Sequence, residues 1–265
     1  MTESWRQPRR VLMAALGALT VFYLLAPTVV IIPMSFTEAS ILSFPPDGFS
    51  LRWYDQMLTR PEWSTGLRNS ALVAVLTAIL ATLLGTLAAL GMTRGRFPGR
   101  ALLNGLALSP LIVPVVIIAI GMFSLFVQWR ISGSLLGLVL AHTALALPFV
   151  IVNVATSLRT MDRNLELAAA NLGATPARSF LRITLPIIFP GVLAGAIFAF
   201  ITSWDEVVVA IFLTSARFRT LPVEMWEQVR QVVDPTVAAV STTLLVVTTA
   251  LLLLLLVVRR QAPAR

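Results

Sequence analysis

The chain has 265 residues, of which 57% are hydrophobic and only 12% charged, with a formal net charge of +8 and a mean hydropathy of +0.88. An ordinary soluble domain carries about 25% charged residues, so a water-soluble globule is excluded. Cysteine and lysine are both absent; this removes disulfides, thiolate nucleophiles and cysteine metal sites, and without a Walker lysine the chain is not itself a P-loop ATPase.

Six apolar stretches of 22 to 27 residues follow one another: Val11–Pro33, Asn69–Met92, Ala101–Val127, Leu135–Thr156, Ile187–Leu213 and Val237–Val258. Each is long enough to cross a hydrocarbon core of about 30 Å as a helix. The first follows Arg6, Arg9 and Arg10 but exceeds the apolar run of a secretory signal and lacks a clear cleavage site, so it reads as a retained span. The expected organisation is a tail over 1–10, a six-span domain over 11–258 with a long loop at 157–186, and a tail over 259–265.

Arginine sets the orientation, because positive charge is retained on the cytoplasmic side. Thirteen arginines lie in the two tails, in the turn Thr93–Arg100 and in the loop Ser157–Pro186, against seven in the opposite segments, where acids balance them. Both termini are therefore expected in the cytoplasm. The net +8 is a topology signal beside anionic lipid, not a nucleic-acid footprint.

On the outer side, Pro45-Pro46-Asp47-Gly48 signals a turn, and Arg52–Arg60 a short interfacial helix anchored by Trp53. Pro222 suits the first turn of another helix, with Val223, Trp226 and Val229 at helical spacing. Both segments could instead dock an extracytoplasmic partner. Pro110 and Pro114 interrupt the third stretch, Pro148 lies within the fourth and Pro190 opens the fifth, each removing a backbone donor.

The cytoplasmic loop is richer in signals. Asn164–Leu172 reads as a short helix with Leu165, Ala168, Ala169 and Leu172 near one face, and Gly173 falls where a left-handed cap belongs. Thr175 suits an N-cap and Pro176 the first turn of a second segment, which Pro186 is expected to end. Small residues at Ala168, Ala169, Ala170, Gly173 and Ala174 permit close approach of another backbone.

Ala168-Ala169, Gly173 and Ile183-Thr184-Leu185-Pro186 reproduce, in spacing, the cytoplasmic signature of the inner-membrane permeases of binding-protein-dependent ABC importers, which the chain resembles. The resemblance implies an all-α, six-helix, methionine-importer-like fold whose coupling helix seats in an ATPase subunit. The coupling residues would be Leu165, Glu166, Leu167, Ala168, Ala169, Leu172, Gly173, Ala174, Ile183, Leu185 and Pro186. Leu167 occupies the motif's Glu position and the acid, Glu166, comes one residue earlier, about 100° around the helix.

In the fifth stretch, Ser203-Trp204-Asp205-Glu206-Val207 sets two carboxylates inside an apolar run. An Asp at mid-membrane costs roughly 2.5–3.5 kcal/mol on the insertion scale, so these acids should avoid lipid. Either they line a path for a cationic solute, or they pair within the bundle or are neutralised by burial. His142, the sole histidine, cannot supply a multi-histidine metal site and reads as a hydrogen-bonded structural group.

The segment Ser203–Val209, with Leu42-Ser43-Phe44-Pro45-Pro46 and Leu51-Arg52-Trp53-Tyr54, is similar to the second permease subunit of spermidine/putrescine importers. That likeness implies a multi-pass permease of the cell inner membrane carrying a polyamine along Trp204, Asp205 and Glu206. Phosphonate, iron or another small solute is the alternative. Its implied partners are a second permease or a second copy, two ATPase subunits that hold ATP and Mg, and an extracytoplasmic binding protein; the chain itself would bind no cofactor. An intramembrane protease is disfavoured by the absence of a Gly-x-Ser-Gly motif and a histidine pair, and an ion-driven secondary transporter by the coupling signature.

Overall fold

A computed structural model describes residues 6–231 and 234–261. Arg265 and the side chains of Arg6, Arg9, Arg259 and Arg260, all part of the arginine asymmetry, lie outside the described residues. The chain is helical almost throughout: α1 (Arg6–Met34), α2 (Arg52–Thr59), α3 (Pro61–Arg94), α4 (Arg100–Leu108), α5 (Val115–Gln128), α6 (Leu135–Thr160), α7 (Asn164–Asn171), α8 (Pro176–Ser179), α9 (Leu185–Trp204), α10 (Val208–Leu213), α11 (Leu221–Gln231) and α12 (Thr236–Gln261). Among the described residues five helical segments are long and apolar enough to cross a membrane: α1, α3, α6, Pro176–Trp204 and α12.

The third expected span is not one straight helix. A 3₁₀ turn, Ser109–Leu111, follows α4, and the segments on either side of residues 112–114 are bent by 105°. Pro110 and Pro114 are the physical cause, since each lacks the N–H that would carry the ladder through.

The fifth departs further. Helical structure begins at Pro176 and runs through Pro186, which does not end it: Phe180–Thr184 forms a π turn in which the Leu185 N–H donates to the Phe180 carbonyl. Widening the ladder by one residue just before Pro186 reduces the demand for the N–H that proline lacks. The helix then stops at Trp204, not Leu213, and restarts at Val208.

The described residues form two compact units. One contains the chain up to Pro61 together with 227–245. In it, Trp53 is 5% exposed and its indole N–H donates to the Thr37 carbonyl at 2.8 Å. The expected interfacial anchor is therefore an internal one, because the ring's polar edge finds a backbone partner. Tyr54 packs on Phe36 and shares a 2.7 Å hydrogen bond with Ser35, while Arg60 pairs with Asp234 at 3.4 Å. Trp53→Phe, which leaves the Thr37 carbonyl without its donor, is expected to cost about 1–3 kcal/mol, read as a lowered unfolding temperature in detergent.

The other unit spans 62–226 and the chain from Val246 onward. Its centre is α6, whose start is fixed by Ser134 accepting from the Gly137 N–H at 3.1 Å. One buried cluster joins α6 to α3, α5, α10 and the start of α11 through Leu138, Leu145, Val73, Phe126, Val209 and Val223. A second joins it to α3 and α9 through Val150, Val154, Leu158, Ala81 and Ile188. Val150 is wedged between Gly85 of α3 and Gly195 of α9, where any side chain would collide with it. By contrast α4 buries no residue, and α5 only Ala119 and Phe126.

Candidate translocation site and the loop over 157–186

The break in the fifth span holds the acid pair. Asp205 is the residue after α9, and Val207 precedes α10. The carboxylates are thus not both inside a helix, as the apolar run suggested, but at an interruption. Glu206 turns back onto α10: Oε1 accepts from the Val209 N–H at 2.8 Å and Oε2 from the Ala210 N–H at 2.9 Å. Two of the free donors of a new helix are satisfied by one acid, which also favours the positive end of the helix.

His142, wholly buried on α6, supports this turn from behind. Its Nδ1 shares a 2.8 Å hydrogen bond with the Ser203 hydroxyl, and its Nε2 lies 3.6 Å from Glu206 Oε2, a contact too long for a hydrogen bond. Trp204 is 4% exposed and stacks on Phe200 at 5.7 Å. Asp205 points elsewhere: it is exposed and accepts from the Thr248 hydroxyl of α12 at 3.2 Å. The three expected pathway residues therefore have three different environments, and of the three only Asp205 is exposed. Ser203 belongs to the acidic segment itself, whereas Thr248, 43 residues beyond Asp205, has no local sequence signal that links it to the acids.

In the loop over 157–186, α7 ends in a paired cap: the Gly173 N–H donates to the Ala170 carbonyl at 2.9 Å and the Ala174 N–H to Ala169 at 3.0 Å, with Gly173 at φ +80°. This is the Schellman arrangement that a glycine makes without strain. Thr175 accepts from the Arg178 N–H and Pro176 opens α8.

Only Ala169 of α7 is buried. A groove of about 530 Å³ runs beside it, with Leu165, Ala168, Leu172, Ala174, Ile183 and Pro186 among its walls. Leu172 is 89% exposed; Leu167 is exposed and Leu185 half-buried. Glu166 faces a second groove of about 320 Å³, lined also by Ala170, Ala174, Phe180 and Thr184.

Residues 81–263 match the family described as binding-protein-dependent transport system inner membrane component. The chain belongs to that family of ABC importer permeases, and is a multi-pass inner-membrane transport subunit. It is 33% identical over 247 residues to the putrescine transport system permease protein PotI of Escherichia coli K12, an alignment covering 89% of this chain and 85% of PotI. To the spermidine/putrescine transport system permease protein PotC of the same strain it is 30% identical over 220 residues, covering 83% of each. The trehalose transport system permease protein SugB of Mycobacterium tuberculosis is 28% identical over 207 residues, 77% of this chain and 76% of SugB. A bacterial ABC transporter involved in the import of the acidic polysaccharide alginate shares the fold, with a TM-score of 0.74 at 15% identity over 99% of both chains.

Proposed function

We propose that this chain forms part of the membrane path for a polyamine such as putrescine or spermidine, with Asp205 contacting the cationic solute. The observation that carries this reading is the exposed Asp205 carboxylate at a helix break, in a chain whose PotI and PotC relatives are polyamine permeases. A bare carboxylate against lipid is costly; lining an aqueous path removes that cost and supplies a charge opposite to an ammonium group.

Both termini face the cytoplasm, and a second permease covers α4 and α5. Two ATPase subunits, which hold ATP and Mg, dock on the α7 groove, and a binding protein delivers solute on the opposite side. ATP binding draws the ATPase pair together, α7 carries that movement to the spans, and the path opens to the binding protein in alternation. This chain makes and breaks no bond and binds no cofactor of its own.

Uptake of radiolabelled putrescine tests the assignment. Asp205→Asn keeps an acceptor for Thr248 and removes the charge, and uptake below saturation should fall roughly tenfold, the scale of one close charge pair. Glu206→Gln should instead lower thermal stability, because a charged cap becomes a neutral one. Unchanged uptake in Asp205→Asn at equal expression would reduce Asp205 to a structural residue.

A further inference from the structure

Glu166 divides its two carboxylate oxygens between two different parts of the bundle. Oε1 accepts a hydrogen bond from the Thr184 hydroxyl at 2.9 Å, and Oε2 lies 3.3 Å from Arg94 Nη2. Thr184 is 2% exposed and closes the π turn at the head of α9; Arg94 is the last residue of α3. The side chains of Arg94 and Glu166 are each 24% exposed, so their attraction is only partly screened by water.

The rest of α7 is loosely held. It buries Ala169 alone, and its leucines point outward. Its covalent route to α9 is short, through α8 and the π turn, but its route to α3 runs back through α6, α5 and α4. A force applied to α7 therefore reaches α9 through the chain, whereas reaching α3 directly requires a side-chain link. Glu166 supplies that link. Leu167, at the motif's usual acidic position and one residue farther around the helix, has no charge to pair with Arg94.

We propose that Glu166 is a positioning residue, a strut tying α7 to α3 through Arg94 and to the π turn of α9 through Thr184, so that movement imposed on α7 is delivered to two spans together. This rests on the reading of α7 as the ATPase-docking helix. A π turn suits such a junction, because its widened ladder can shift register without a full helix break.

The test uses the whole transporter in its host membrane, with a tag on this chain. It reads co-purification of the ATPase, putrescine uptake, and uptake per ATP hydrolysed. Glu166→Gln and Arg94→Gln should each retain the ATPase at wild-type level and lower uptake per ATP roughly tenfold, the scale of losing one charge-assisted contact. The exchanged pair, Glu166→Arg with Arg94→Glu, should recover to within about threefold of wild type, since the attraction is restored with the ends reversed.

Wild-type uptake per ATP in either single variant would overturn the strut, as would an exchanged pair no better than the singles. Loss of the ATPase from the single variants would also overturn it, placing Glu166 in the docking surface. Gly173→Asp, run in parallel, separates the two readings. If it too leaves docking and uptake intact, the docking role of α7 fails; if it alone abolishes them, only the strut does.

Discussion

Gly173→Asp is expected to leave the protein inserted at normal levels while putrescine uptake falls at least about a hundredfold, the scale of burying one unpaired charge. Gly173 sits at φ +80°, and a Cβ built there meets nothing within 4 Å. The substitution therefore causes no collision; its backbone cost is about 1 kcal/mol, because aspartate visits the left-handed region more readily than most residues. What changes is the surface. A carboxylate appears beside Leu172, which is 89% exposed, on the face proposed to receive the ATPase. Docking an apolar ledge that carries an unpaired charge means stripping water from it with no compensating partner. Gly173→Asn has the same backbone tolerance without the charge and should retain most uptake. Full uptake and ATPase co-purification in Gly173→Asp would end the assignment of this helix to docking.

The second large effect concerns the glycines flanking Val150. At Gly195 an added Cβ would stand 2.9 Å from Val150 Cα, which is backbone; at Gly85 it would stand 2.7 Å from the Val150 side-chain atoms Cβ and Cγ1. Both Gly→Ala substitutions overpack the junction of α3, α6 and α9, and each should cost about 1–3 kcal/mol. They should differ in their response to a second change. Trimming Val150→Ala removes the Cγ1 that crowds Gly85→Ala and should recover part of that loss. It leaves the Cα, the nearest atom to the new methyl of Gly195→Ala, in place and removes only the Cγ1 at 3.2 Å, so it should relieve that variant less. Thermal unfolding in detergent of the three single variants and the two double variants measures the two couplings; equal recovery at both sites would mean that the helices separate instead of holding their spacing.

Features set by neighbouring residues were legible in the sequence. Gly173, Thr175 and Pro176 announce their caps because the partners lie within four residues, and Pro110 with Pro114 announces the bend because each removes a backbone donor. The break at Asp205 was hidden. The fifth stretch stays apolar on both sides of it, so hydropathy averages across a three-residue gap, and the reason for the gap lies partly in His142, 61 residues before Ser203 in the chain. Pro186 misleads for a related reason: it reads as a stop unless the π turn ahead of it is known. The pairing of Glu166 with Arg94 is likewise invisible, since only the packing of α3 beside the loop brings the end of one span to the first turn of another element.

Stopping α9 at Trp204 leaves the last carbonyls of a 20-residue helix beyond its own ladder, next to Asp205. Their aligned dipoles amount to roughly half a negative charge at that end. On the other side of the gap, Glu206 offsets the opposing positive end of α10. The interruption is thus electrically one-sided, a negative focus made of both side chain and main chain. Neutralising Asp205 removes only the side-chain share, so a residual preference for cations should persist in Asp205→Asn and weaken as ionic strength rises.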